Sequence, residues 1–357
     1  MKRALLCSAF AALLTGCGLC PSPPSAATGT AARYPITDVA TAPATPVRNQ
    51  AKSGTCWAFG GVSLIESEAI RTRRCTLDLS EMWVVRHAYF EKAVKYVRTR
   101  GRVAFDQGGE IQDVLWLVDR YGIVPQSLYE GGAADGTYDH ASLAKAIRRL
   151  AKRIVDKKLY EKEHWQRMID EELDRRLGAR PDRFLIDGVA YTPFSYAGSV
   201  GFRRDDYIAL TSFTHHPFFE RFVLEIPDNW AAHATLNIPL DSLMRLLDSA
   251  LAAGYTAAWD ADVSERGFGR RAGIALLPQQ EGRITLPAPE IVVDQPLRQR
   301  MFDTQASTDE HVMHIVGPAV DQTREGRTGH HDVAGQLPQG AARLRQSPAR
   351  RRAGVRQ

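Results

Sequence analysis

Apolar positions fall into helical spacing early in the chain and into strand-like runs late. Trp57, Ala58, Val62, Ile65 and Ala69 recur at steps of about three and four, which predicts an amphipathic or buried helix opening near Cys56. The preceding stretch, Lys52 to Thr55, contains Gly54 and reads as a turn. A second helix is expected after Leu79, with Ser80 as its N-cap and Trp83, Val84, His87, Ala88 and Val94 packing inward to about Arg98. A third is expected over Ile111 to Tyr121, and two charged ones over 141–158 and 160–177. Positions 239–253 read as a helix closed by Gly254, and 255–259 and 272–277 read as strands. Helices first and strands later imply an α+β chain.

Composition sets the scale of the fold. The 357 residues are 44% hydrophobic, enough for one large domain or two lobes sharing a cleft. The net charge of +5 is concentrated at one end. Residues 324–357 hold eight arginines against Glu325 and Asp332, so the remainder carries a net charge of −1. A nucleic-acid surface on the folded body is therefore not expected.

The first residues, Met1-Lys2-Arg3, precede an apolar run from Ala4 to Leu14, a pattern of export signals and too short for a membrane span. Leu14-Thr15-Gly16-Cys17 resembles a bacterial lipobox, which implies Cys17 as the lipidated first residue of an exported lipoprotein in the periplasm or at the cell surface. Plain secretion with cleavage near Ala26 or Ala27 is the alternative. The expected organisation is a signal over 1–16, a Pro/Ala/Ser/Thr-rich tether over 17–46, a folded domain over 47–320 with a helical insertion at 140–180, and a disordered basic tail over 321–357. Cys56 and Cys75 alone belong to the folded domain, so no disulfide framework is expected.

Cys56 is the candidate nucleophile. A cysteine at a helix N-terminus faces unpaired N–H groups and the positive end of the dipole, and both favour thiolate. Gln50, six residues upstream, offers an amide for an oxyanion. Asn49-Gln50 followed by Ser53-Gly54-Thr55-Cys56-Trp57-Ala58-Phe59 resembles the nucleophile segment of papain-like cysteine peptidases. Ser53 stands where secreted papain relatives have a disulfide cysteine, and this points to the bleomycin hydrolase and aminopeptidase C branch. Leu79-Ser80-Glu81 follows the nucleophile helix as in the family. Gly108-Gly109, followed later by Tyr121-Gly122-Ile123-Val124-Pro125, matches the family's cleft-lining pair, whose backbone binds an extended peptide. The stretch from Tyr207 to Trp230 resembles bacterial aminopeptidase C relatives. The resemblance implies a papain-like two-lobed fold, a helical lobe plus an antiparallel, barrel-like sheet lobe, and peptide substrates, with no cofactor.

Thr308-Asp309-Glu310-His311-Val312-Met313-His314-Ile315-Val316-Gly317 supplies the imidazole a thiolate mechanism needs. The family's histidine precedes Val-Gly by five and six residues, which selects His311; His314, an odd step away on a strand, points to the other face. His311 lies 255 positions after Cys56, against roughly 130–150 in papain relatives. The charged insertion accounts for the difference and is expected to be a solvated face. His87 is expected to be structural. His215-His216 is not expected to bind metal, because no carboxylate or cysteine stands at zinc-ligand spacing.

The family continues with Lys-Asn-Ser-Trp-Gly, whose asparagine orients the histidine. Here no asparagine follows Asn237, and the end is rich in Gly, Ala, Gln and Arg. A frameshift or truncation is expected to have replaced the last strands and left a sheet edge open. Three readings remain: a cysteine peptidase working through an acyl-enzyme, a catalytically impaired descendant that binds peptides or is inactive, and a thiol acyl-transfer enzyme that incorporates amines. Oligomeric state is not legible.

Overall fold

A computed structural model describes residues 36–132, 138–269, 274–279, 289–321, 328–332 and 343–344. The lipobox, Cys17 and most of the tether lie outside the described residues. A short strand, β1 (Ile36–Asp38), precedes five helices: α1 (Cys56–Arg73), α2 (Glu81–Arg98), α3 (Ile111–Tyr121), α4 (Ala141–Asp156) and α5 (Lys162–Leu177). A hairpin of β2 (Phe184–Ile186) and β3 (Val189–Tyr191) leads into α6 (Pro193–Ser199). A small sheet follows, made of β4 (Leu210–Thr211), β5 (Arg221–Val223) and β6 (Ala234–Asn237). Then come α7 (Leu240–Ala252), β7 (Ala257–Ala261), β8 (Phe268–Gly269), β9 (Ile274–Ala275), α8 (Gln295–Asp303), β10 (His311–Asp321), β11 (Thr328–Asp332) and β12 (Arg343–Leu344).

α1 is the centre of the core because almost every side of it is covered. Trp57, Ala58, Val62 and Ile65 are buried, with Gly60 and Gly61 between them. A Cβ on Gly60 would stand 2.6 Å from Val312 Cγ1, and one on Gly61 would stand 2.6 Å from Val114 Cγ2. The two glycines thus let β10 approach one side of α1 and α3 another. Ser80 caps α2 as expected, accepting from Trp83 N at 3.0 Å, and its hydroxyl also donates to the Tyr129 carbonyl. Gly254, at φ 82°, follows the end of α7 as its sequence suggests.

β10 organises the sheet. Its first half pairs antiparallel with β7, His311 opposite Ala261 and Val312 opposite Asp260. Its second half pairs antiparallel with β1 on one side and β11 on the other, with an irregularity between Ile315 and Gly317. The sheet runs β1-β10-β11-β12-β9-β8 and remains open. It is mixed, since β12 pairs parallel with β9, and β4 pairs parallel with β6 in the smaller sheet. The α+β architecture expected from the sequence is therefore present, and the described strands do not close into a barrel. Within 321–357 the described residues 328–332 and 343–344 form β11 and β12, and β11 pairs with β10; the rest of the tail beyond Asp321, expected to be disordered, lies outside the described residues.

The charged insertion is only partly a solvated face. Arg86 of α2 is fully buried and pairs with Asp170 and Asp174 of α5. α5 turns these acids inward because Trp165, Ile169, Leu173 and Leu177 share a buried side of the same helix.

Candidate active site

Cys56 is the first residue of α1 and is partly buried. The turn that delivers it is tightly bonded. Ser53 Oγ contacts both the Gln50 carbonyl (2.7 Å) and Thr55 Oγ1 (2.6 Å). Thr55 makes no side-chain cap bond to the helix; its carbonyl accepts from Ala58 N at 3.0 Å, and the Trp57 N–H approaches the thiol. Gln107 ties this turn to the neighbouring loop: its Oε1 accepts from Gly54 N at 2.8 Å, and its carbonyl accepts from Trp57 Nε1 at 3.0 Å.

The surroundings of the Cys56 thiol oppose its ionisation. Burial raises its pKa to about 11; the Val312 and Trp57 backbone N–H groups pull it down, while Asp260 and Asp228 push it up. The backbone N–H groups favour thiolate, as expected of a helix terminus, but burial acts the other way and is the larger influence. Desolvation disfavours the anion more than the amides favour it, and nearby carboxylates disfavour it further by charge repulsion.

His311 opens β10 and is buried. Its successor, Val312, sits against Gly60 and directs its N–H toward the Cys56 sulfur. β10 therefore brings the histidine segment to the start of α1. His314 is fully buried against the other part of α1, its Nδ1 2.9 Å from Ser63 Oγ, and burial lowers its pKa to about 3. A neutral, sequestered imidazole of this kind is a packing group.

Gln50 Nε2 donates to the Ser53 carbonyl at 2.6 Å, which engages one of its two N–H groups locally. Gly108 and Gly109 are close-approach positions. A Cβ on Gly108 would lie 2.1 Å from both Asp228 carboxylate oxygens, and one on Gly109 would lie 2.9 Å from Trp57 Cε2 and Asp113 Oδ2. The Gly108 carbonyl already accepts from Lys92 Nζ, which also reaches the Asp106 carbonyl at 2.7 Å. Burial lowers the Lys92 pKa to about 8, opposed by Asp113 and Asp228.

The sequence reading missed the carboxylates around this site: Glu110, Asp228, Asp260 and Asp309. They are scattered over 200 residues, and only the fold assembles them. Glu110 directly follows the Gly-Gly pair, and Asp309 stands two residues before His311, which is the one signal that marked them. Asn237 is fully buried in β6, and its amide binds the carbonyls of Phe213, His216 and Pro217 and the Phe213 N–H, so it staples the small sheet. His87 stacks on Tyr121 with 4.0 Å between centroids, in keeping with a structural role. At the histidine pair the chain supplies the carboxylate that linear spacing did not: Glu225 lies 3.1 Å from His215 Nε2 and 2.7 Å from His216 Nε2. The three side chains have the donor types of a metal site. Cys75, like Cys56, is a free cysteine.

Residues 35–167 match the family model described as papain family cysteine protease. This segment holds Gln50, Cys56, Gly108 and Gly109 but ends before the sheet and His311. No curated protein matches the chain. Among solved structures it is similar to the crystal structure of PepW from Lactobacillus rhamnosis HN001 (DR20), with a TM-score of 0.65 and 18% identity over 87% of this chain and 78% of that one. At that identity the likeness is one of fold.

Proposed function

We propose that the chain is a cysteine peptidase that cleaves peptide bonds through Cys56. The observation that carries this reading is the placement of Cys56 at the start of α1, inside the papain-family segment, with the His311–Val312 end of β10 against it. Cys56 Sγ attacks the scissile carbonyl, and the Cys56 N–H with the second Gln50 N–H receives the oxyanion. His311 takes the thiol proton and returns it to the leaving amine, and water then releases the acyl group. The family resemblance adds an aminopeptidase C-like mode and, through the lipobox, a Cys17 lipid anchor at the membrane surface. Loss of membrane association in Cys17→Ala tests the anchor.

The main test is hydrolysis of peptidyl-coumarin amides. Cys56→Ala should abolish turnover and His311→Ala should lower it by about 10³-fold or more. Turnover that survives Cys56→Ala would overturn the proposal. A second reading, a peptidase descendant that binds peptides without cleaving them, is favoured by the absence of any asparagine after Asn237 and by the raised thiol. Saturable peptide binding without turnover would select it.

A further inference from the structure

Gln107 holds the chain on both sides of Cys56. Its Oε1 accepts from Gly54 N, two residues before the nucleophile, at 2.8 Å. Its carbonyl accepts from Trp57 Nε1, one residue after the nucleophile, at 3.0 Å. Gln107 is itself fixed in place. Its N–H donates to Asp106 Oδ1 at 2.7 Å. The carbonyls of its two neighbours, Asp106 and Gly108, both accept from the buried Lys92 ammonium, which also lies 5.3 Å from the centre of the Trp230 ring. Gly108 and Gly109 follow directly, and a Cβ on Gly109 would stand 2.9 Å from Trp57 Cε2.

The turn from Gln50 to Cys56 is shaped by its own bonds. Gln50 Nε2 donates to the Ser53 carbonyl, and Ser53 Oγ and N both donate to the Gln50 carbonyl. Bonds to other segments then set where the turn lies: Lys52 N donates to the Tyr138 carbonyl at 2.9 Å, and Gly54 N donates to the Gln107 side chain. The second of these ties the turn to the segment that carries Gly108 and Gly109.

Gly54 is exposed and Gln107 partly so. A hydrogen bond within reach of water contributes little to global stability, so stability alone gives the Gly54–Gln107 bond a small role. Geometry gives it a larger one. In the mechanism above, the oxyanion donors, Gln50 and the Cys56 N–H, lie on the turn, while the extended peptide lies along Gly108–Gly109. As the Cys56 sulfur–carbon bond forms, the π pair of the carbonyl moves onto its oxygen, and the thiol proton passes to His311. That oxygen must meet donors on one segment while the peptide is held by the other. Gln107 belongs to one segment and binds the other. An error of about 1 Å in such an alignment can cost on the order of 10²-fold in rate.

We propose that Gln107 is a positioning residue: through the bond from the Gly54 N–H to its Oε1 it holds the nucleophile turn in register with the Gly108–Gly109 segment. This rests on the peptidase reading above. Gln107 acts through Gly54 and needs no contact with the reacting atoms.

The test uses the full chain and peptidyl-coumarin amides. Gln107→Met keeps the length of the side chain and removes the acceptor; Gln107→Glu keeps an acceptor oxygen at the same reach. Gln107→Met should lower kcat by at least about tenfold and leave KM within about threefold. Gln107→Glu should keep kcat within about threefold of the wild type. Alkylation of Cys56 by iodoacetamide is a displacement that forms no oxyanion, and its rate should stay within about twofold in Gln107→Met. A kcat within about twofold of the wild type in Gln107→Met, or a change in KM alone, overturns the proposal and leaves the peptidase reading in place. So does a Gln107→Glu variant as slow as Gln107→Met, or an alkylation rate that falls with kcat. Thermal melts confirm that each rate is read on folded protein, and Gln107→Ala replaces Gln107→Met where the latter is unfolded.

A wild type that cleaves nothing removes the peptidase reading, and a peptide aldehyde then tests the register. Its reversible addition to Cys56 forms the same kind of oxyanion without hydrolysis and is read as protection of Cys56 from iodoacetamide. Affinity weaker by at least about tenfold in Gln107→Met, and retained in Gln107→Glu, upholds the positioning role. Equal affinity in all three proteins, or no adduct with the wild type, overturns it.

Discussion

At the scale of single residues the site is governed by the balance of charge around one sulfur. Burial is the largest influence on Cys56, and it outweighs the two backbone N–H groups that approach the thiol. Alkylation by iodoacetamide, read on the Cys56 peptide by mass spectrometry, is therefore expected to rise steadily above about pH 8.5, with no plateau below about pH 6. A low-pH plateau would mean a preformed thiolate–imidazolium pair and would overturn the general-base role assigned to His311. Asp260→Asn should shift the alkylation curve toward lower pH, because it removes a negative charge that disfavours the thiolate. Asp228→Asn should act in the same direction but less, as the weaker of the two charges.

At the scale of elements, function depends on how closely β10 and α3 can pack onto α1. Gly60 touches Val312, the neighbour of His311, so a methyl group there must push β10 away from the nucleophile helix. Gly60→Ala is expected to destabilise the chain by about 1–3 kcal/mol through overpacking. It should also lower turnover more than the stability loss explains; urea unfolding and kcat measured on folded protein separate the two. A second test concerns α5. Removing both Asp170 and Asp174 by alanine substitution leaves the Arg86 guanidinium buried without a counter-charge. The expected loss is on the order of 3 kcal/mol in urea unfolding, at the low end of such cases because both acids are partly exposed. A change within about 0.5 kcal/mol would mean that water reaches Arg86 and the insertion is a solvated face after all.

At the scale of the whole molecule the buried acids couple folding to pH. Burial raises Glu66 and Asp260 to about 7, Glu81 to about 8 and Glu110 to about 9. A carboxyl with its pKa raised by folding binds its proton more tightly in the folded chain. Its contribution is complete below the unfolded value, about 4.5 for Glu and 3.8 for Asp, and is lost as pH rises through the folded value. Stability should therefore fall between about pH 5 and pH 9, as measured by chemical denaturation at several pH values. Glu110→Gln should flatten the upper part of that decline. A stability that rises across this window would contradict the protonation state assigned to these groups.

The sequence by itself determined the helices and marked Cys56 as the candidate nucleophile. Helical periodicity, the Ser80 cap and Gly254 are local signals, and local hydrogen bonding and side-chain packing are enough to fix the elements they mark. The Cys56 segment was legible because its chemistry is written in contiguous residues. The tertiary structure decided whatever depends on distant segments meeting. It turned Asp170 and Asp174 onto Arg86, brought Glu225 to the two histidines, paired β10 with β11, and brought Asp228 and Asp260 near the thiol. None of these carries a periodicity or spacing signal, because charge interacts through space while a sequence records only order along the chain. For the same reason the influences that oppose ionisation of Cys56 are not legible from its helix terminus: Asp260, which pushes its pKa up, lies 204 positions further along the chain.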